Sequence, residues 1–286
     1  FDEGVRFSQR TSVGNVSGGG MSASSIHATA IVDPEAELGS NVTVGAYCII
    51  EAGVSVGDGS SIDSHAIIKR LTRVGKDVRI GHFSVVGGDP QHLSFDSDIP
   101  SSAVLGDGAR LGEGVTVHRS MYENGRTVIG RDCFLMGYSH VAHDCQVGDR
   151  TILANGALLG GHVILGTDVF VGGGAGLHQF TRVGEGAMIG GLSEISADIP
   201  PQVTVSGRNR ACGLNLIGLK RRGVTREERT ELKQCYREIL MKKGNPTLFA
   251  KLMINGSSSP KTSLGITFVE FFLEGDRGFV RSHSAR

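Results

Sequence analysis

Residues 129–195 read IGRDCFLMGYSHVAHDCQVGDRTILANGALLGGHVILGTDVFVGGGAGLHQFTRVGEGAMIGGLSEI. Every sixth residue is aliphatic: Ile129, Leu135, Val141, Val147, Leu153, Leu159, Leu165, Val171, Leu177, Val183, Ile189 and Ile195. Four places after each aliphatic comes a compact side chain, as at Cys133, Cys145, Ala157, Val163, Ala175 and Ala187. The same period runs upstream from Val32 to Val86. It breaks at GGDPQHLSFDSDIPSSA (87–103), resumes at Leu105, Leu111 and Val117, and breaks again at HRSMYENGRT (118–127). A period of six fits the two-residue alternation of a strand and not the 3.6 of a helix. Six residues cannot bury an apolar face alone, so short strands must stack, each aliphatic over the one a coil earlier. The residue after the aliphatic is often Gly, as at Gly148, Gly160, Gly166 and Gly184, and is expected to supply turn dihedrals that a side chain would oppose. The fold class is therefore mainly β.

The rest of the 286-residue chain is different in kind. Residues 1–25 are rich in Ser and Gly and read as a flexible N-terminal extension. The first residue is Phe, which suggests that an upstream segment is missing, and the extension itself makes an organellar, mitochondrial location the favoured expectation over a bacterial cytoplasm. After Pro200 and Pro201 the repeat ends. Thr225 precedes REERTELKQCYREILMKK, a helix with an N-cap and acidic residues in its first turn, and Leu248–Ile254 and Ile266–Leu273 read as further helices. The expected division is an extension at 1–25, a repeat domain at 26–212 and a small α-helical domain at 213–286.

Charge and cysteine content exclude several classes. Lys plus Arg, 29, equals Asp plus Glu, 29, so no global field draws nucleic acid. No apolar run reaches the ~18 residues that span a bilayer. Five cysteines without a CxxC pair read as reduced thiols.

Chains with this period resemble the hexapeptide-repeat proteins, in which three hexads make each coil of a left-handed parallel β-helix, a triangular prism. An 18-residue coil turns the sequence into a map, because residues 18 apart then lie about 4.8 Å apart. His143, Gly161 and Gln179 form one column, and Asp144 and His162 the next. His178 adjoins Gln179, and His140 lies three residues before His143. A single surface histidine is ordinarily solvated; four in one patch point to chemistry. Histidine suits general-base work near neutral pH, and a carboxylate on its other nitrogen fixes the tautomer. A glycine above it lets a backbone N–H approach a reacting carbonyl as an oxyanion donor. Zinc bound by neighbouring imidazoles is the rival use. The β-helix carbonic anhydrases place a histidine pair five apart about two coils after a first histidine, and the spacing of His118, His140 and His143 does not fit that pattern.

The stretches IHATAIVDP, VTVHRS, HVAHDCQVGDR, GLHQFTRVGEGAMIGG, DIPPQV and GLNLIGLKRRG resemble the UDP-N-acetylglucosamine O-acyltransferases of lipid A biosynthesis, collinearly from about Ile26 to the C-terminus. The resemblance implies transfer of an (R)-3-hydroxyacyl chain from acyl carrier protein to the 3-hydroxyl of UDP-N-acetylglucosamine, by direct attack on the thioester, in a homotrimer, with no cofactor and no metal. It makes His143 the general base, Asp144 its orienting partner and the Gly161 N–H the oxyanion donor. Gln91, His140, His162, His178 and Gln179 match substrate-contacting positions, and Arg221 and Arg222 a basic pair near phosphate. Gly191 matches the position that sets acyl length, and its lack of a side chain implies a medium-to-long chain. Ser94 and His92 stand where the family often carries a lysine and an acid, and either Arg208 or Asn209 takes the place of a family asparagine. The alternatives are an acetyl-CoA-dependent hexapeptide acyltransferase, or a scaffold without activity.

Overall fold

The computed structural model describes residues 24–256 and 259–282. Most of residues 1–25 thus lies outside the described residues, and the first strand, Ser25–Ile26, already belongs to the prism. The repeat folds as a left-handed parallel β-helix whose two-residue strands stack into three parallel sheets. The first face runs from Ser25–Ile26 through Phe134–Leu135 to Met188–Ile189. The second runs from Ile31–Val32 through His140–Val141 to Glu194–Ile195, and the third from Glu37–Leu38 through Gln146–Val147 to Arg182–Val183.

Alternation within each strand fixes the core. In every pair from Thr43–Val44 onward the aliphatic points in and is buried, while its neighbour points out. The compact residues at the corners are buried as well, Cys48, Cys145, Ala157 and Val163 among them. Each coil bonds to the next through backbone amides, as from Gly148 N to Leu165 O and Gly166 N to Val183 O, both 2.8 Å. Replacing one interior aliphatic, such as Leu153, by alanine removes contacts to the coils on both sides and costs ~2–5 kcal/mol.

The glycine that follows the aliphatic has a different purpose from the one expected. It does not carry the left-handed dihedral; the residue two places later does, and that residue is often not glycine: Arg150 has φ 56°, Asp144 62°, His162 61° and Phe180 65°. Glycine is needed where coils touch. A Cβ on Gly148 would lie 2.5 Å from the carbonyl carbon of Gly166, and one on Gly166 2.6 Å from the amide nitrogen of Glu185.

The two interruptions are excursions from the prism. Coil-to-coil partners are 18 residues apart in the regular repeat, 31 apart across the first excursion and 24 apart across the second. After the last coil, Val203–Ser206 pairs antiparallel with Arg210–Leu214, which pairs with Arg281–Ser282. Helices α1 (Leu216–Arg221), α2 (Arg226–Leu240), α3 (Pro246–Asn255) and α4 (Ser263–Glu270) follow. A capping box between Thr225 and Glu228 starts α2, as its sequence indicates; α1 is a short helix that the sequence reading does not separate. Asp198 fastens this cap to the prism: its buried carboxylate accepts from Arg182 Nε at 2.8 Å, and the Arg182 guanidinium lies 4.6 Å over the Phe271 ring. All five cysteines are free and only Cys212 is exposed. No helix of the described residues is long and apolar enough to cross a membrane.

Candidate active site

The corner between the second and third faces carries His143 and Asp144. His143 Nδ1 lies 2.9 Å from Asp144 Oδ2, with side chains only 12% and 11% exposed. Two further groups hold the carboxylate and a third holds the Asp144 backbone. Ser120 Oγ donates to Oδ1, Met121 N to Oδ2 at 3.2 Å, and Thr127 Oγ1 accepts from the Asp144 amide at 2.7 Å. A carboxylate so engaged keeps the Nδ1–H tautomer of His143 and leaves Nε2 as the basic nitrogen. Gly161 sits one coil along, and a Cβ there would stand 2.6 Å from His143 Cε1 and 2.7 Å from Nε2.

His143 opens into a groove of about 690 Å³ that crosses the second face. Gln91 reaches it from the first excursion, His140, Gly161, His178 and Gln179 come from the coils, and Glu194 lies at the far end. His140 Nδ1 is 2.7 Å from Thr116 Oγ1. Arg277, from the C-terminal segment, bonds His178 Nδ1 and donates to Gln179 O at 2.6 Å, so the helical cap helps to fix that wall. His162 lies behind the dyad. Its ring is edge-on to His143 at 5.1 Å and stacked on Phe180 at 4.4 Å, and burial holds its pKa below the usual histidine value against the pull of Asp144. Burial likewise lowers His140.

His118 is the group that the sequence map undervalues. It is buried on the groove wall, edge-on to His140 at 4.7 Å, and its Nδ1 has no partner. Burial, helped by His140 and His143, pushes its pKa down to about 4, so it presents a neutral imidazole at neutral pH. Its signal in the sequence is its place at the start of the second excursion, directly before Arg119 and Ser120.

Three of the expected residues lie elsewhere. Arg221 and Arg222 line a separate groove of about 510 Å³ with Arg150, Asp168 and Asn215, beside the first face. They leave the prism on α1, which the hexad ruler cannot follow. Gly191 occupies the corner between the first and second faces, its Cβ position 3.3 Å from Gly173 O. Asn209 is spent on structure: its Oδ1 accepts from Ser196 N at 2.8 Å and its Nδ2 donates to Ser196 Oγ at 2.8 Å. Arg208 pairs with Glu194 at 3.4 Å on the groove's rim.

The set could also be asked to bind metal, since ligand atoms of His143, Asp144 and His162 lie within 4.8 Å of one another. Asp144 already serves His143, Ser120 and Met121, which leaves it poorly disposed to a cation.

Stacked hexad coils with a carboxylate-held histidine in an outer groove define a hexapeptide-repeat acyltransferase. The bacterial transferase hexapeptide model, of six repeats, matches residues 35–70 and 126–161, and the model described as Udp N-acetylglucosamine O-acyltransferase, domain 2, matches 198–280. The chain is 40% identical over 258 residues to the acyl-[acyl-carrier-protein]--UDP-N-acetylglucosamine O-acyltransferase of Campylobacter lari, covering 89% of this chain and 96% of the relative. The Acinetobacter baumannii structure of that enzyme class superposes with a TM-score of 0.85 at 35% identity, over 90% of this chain and 99% of the other. The Arabidopsis UDP-N-acetylglucosamine acyltransferase superposes with a TM-score of 0.80 at 30% identity, over 90% of this chain and 100% of the other. The chain belongs to the UDP-N-acetylglucosamine O-acyltransferase family.

Proposed function

We propose that this protein moves an (R)-3-hydroxyacyl chain from acyl carrier protein to the 3-hydroxyl of UDP-N-acetylglucosamine, an early step of lipid A biosynthesis. The observation that carries the reading is the His143–Asp144 pair at 2.9 Å, opening on a groove large enough for a sugar nucleotide and part of an acyl chain. His143 Nε2 takes the proton of the sugar hydroxyl, whose oxygen attacks the thioester carbon. Asp144 stabilises the resulting imidazolium through Nδ1–H. The Gly161 N–H donates to the oxyanion. As the carbon–sulfur bond breaks, the proton passes from His143 to the departing thiolate, and no acyl-enzyme forms. His140, His178, Gln179 and Gln91 orient the acceptor along the groove.

A homotrimer is the assembly that supports this reading. Phe134, Ile152, Phe170 and Met188 form an apolar outer column on the first face, next to the groove of Arg221 and Arg222. Packing that face against another copy's second face would carry the two arginines toward a neighbour's His143, where planar guanidinium groups suit phosphate. Gly191 would then leave room for a medium-to-long chain. A mitochondrial location rests on the N-terminal extension, residues 1–25, alone, and import of a fluorescent fusion into isolated mitochondria tests it.

The deciding assay offers the protein 3-hydroxyacyl carrier protein and acetyl-CoA separately, each with UDP-N-acetylglucosamine. Turnover with acetyl-CoA only refutes the reading, and so does unchanged transfer by His143→Ala. Light scattering should give the mass of three chains.

A further inference from the structure

The first excursion, Asp89–Ser101, carries Gln91 onto the groove yet has little structure of its own. Its internal backbone bonds are three local turns: His92 N to Pro90 O, Phe95 N to His92 O and Ile99 N to Asp96 O. A residue outside the loop supplies most of its organisation. Arg119, the largest fully buried side chain among the described residues, is 2% exposed and enters the loop from beneath. Its Nε donates to Asp89 Oδ1 at 2.8 Å, Nη2 to Ser97 O at 2.7 Å, and Nη1 to Ile99 O at 2.5 Å and Ser101 Oγ at 3.4 Å. The Phe95 ring covers its guanidinium at 4.9 Å. One planar fork thus touches the loop at both ends and in the middle. Lysine's single ammonium cannot do this, because it has no rigid fork to serve separated acceptors at once.

The neighbours of Arg119 in the chain tie this network to the chemistry. His118 walls the groove, Ser120 Oγ donates to Asp144, and the Arg119 amide donates to Gly88 O at 2.9 Å, at the loop's root. Three consecutive residues therefore hold the groove wall, the loop and the carboxylate behind the base. We propose that Arg119 is the positioning residue of the substrate loop, setting where Gln91 stands against His143 and hence how the acceptor sugar nucleotide is held. The kinetic part of this inference rests on the proposed acyl transfer; the structural part does not.

The test compares the full-length wild type with Arg119→Lys and Asp89→Asn, by amide hydrogen exchange and by steady-state kinetics with UDP-N-acetylglucosamine as the varied substrate. In Arg119→Lys, exchange across 91–99 should quicken by about tenfold or more while the repeat strands stay protected. KM for the sugar nucleotide should rise about tenfold, with kcat within about threefold and an unchanged pH profile, because the base is untouched. Asp89→Asn keeps the side-chain volume and an acceptor oxygen but removes the charge from one arm, so it should move both readouts the same way by a smaller factor; it carries the test if Arg119→Lys does not fold. Unchanged loop exchange in a folded variant overturns the proposal. A fall in kcat at constant KM also overturns it, since that would make Arg119 a support of the dyad instead. A wild type inactive in the assay refutes the proposed function, and the exchange data then decide the loop assignment by themselves.

Discussion

Gly161→Ala isolates the geometry of the base. The new methyl would stand 2.6 Å from His143 Cε1 and 2.7 Å from Nε2, against the ~3.5 Å that such atoms prefer. The imidazole must retreat by ~1 Å, or turn away from Asp144. Gly161 is not among the residues with positive φ, so alanine strains no dihedral there. The damage should fall on the site and spare the fold. A displacement of ~1 Å in a reacting group costs about 10²-fold in rate, or ~2.7 kcal/mol of barrier. The assay is single-turnover acyl transfer from 3-hydroxyacyl carrier protein, read beside thermal unfolding. The expected result is a kcat lowered about 10²-fold with Tm within ~2 °C. A kcat within about threefold of wild type at unchanged Tm would refute the argument that Gly161 is glycine because the base ring occupies its Cβ position.

Other outcomes follow from the same contacts. His143→Ala should lower kcat by about 10³-fold or more, and Asp144→Asn by about 10²–10⁴-fold through loss of the tautomer, both with circular dichroism unchanged. His118 is held neutral by burial, its pKa pushed down to about 4 from the ordinary 6.5. A group lowered in this way leaves stability intact above pH 6.5 and removes it as pH falls toward 4, by an amount on the order of 3 kcal/mol. Urea unfolding of His118→Gln at pH 7 and pH 4.5 should therefore show a flatter pH dependence than wild type, and an equally steep one would refute the assignment. Gly191→Met should shift the preferred acyl chain to shorter donors in a chain-length series, whereas an unchanged preference removes Gly191 from the acyl path.

How far the hexad pattern can be read depends on where the chain keeps its period. The interior aliphatics, and the stacking of Gly161 on His143, follow from the repeat because coils beyond Ile129 hold a strict 18-residue spacing. Across the second excursion the spacing is 24, so Thr116 meets His140 and Ser120 meets Asp144. Counting 18 from Thr116 would instead have reached Phe134, on a different face. Arg119 escapes the same ruler, because its partners lie in the first excursion, where the period is suspended. Arg221 and Arg222 come after an antiparallel hairpin, at the end of a short helix, and neither element has a repeat to propagate position.

The dyad itself depends on a conformation that the residue identities do not announce. In an extended strand, consecutive side chains point to opposite faces, so adjacent His and Asp would not meet. Asp144 is at φ 62°, in the left-handed region that residues with a Cβ enter at some cost, although Asp and Asn enter it more readily than most. The turn brings its carboxylate back beneath the ring of His143. Thr127 Oγ1 accepts from the Asp144 amide at 2.7 Å and Ser120 Oγ donates to the carboxylate, and both belong to the second excursion. The corner of a hexad coil adopts this dihedral repeatedly, at Arg150, His162 and Phe180 as well. The fold therefore already provides the backbone geometry on which a sequence-adjacent base and carboxylate depend. What the active corner adds is an excursion one coil below, long enough to bring Ser120 and Thr127 against the Asp.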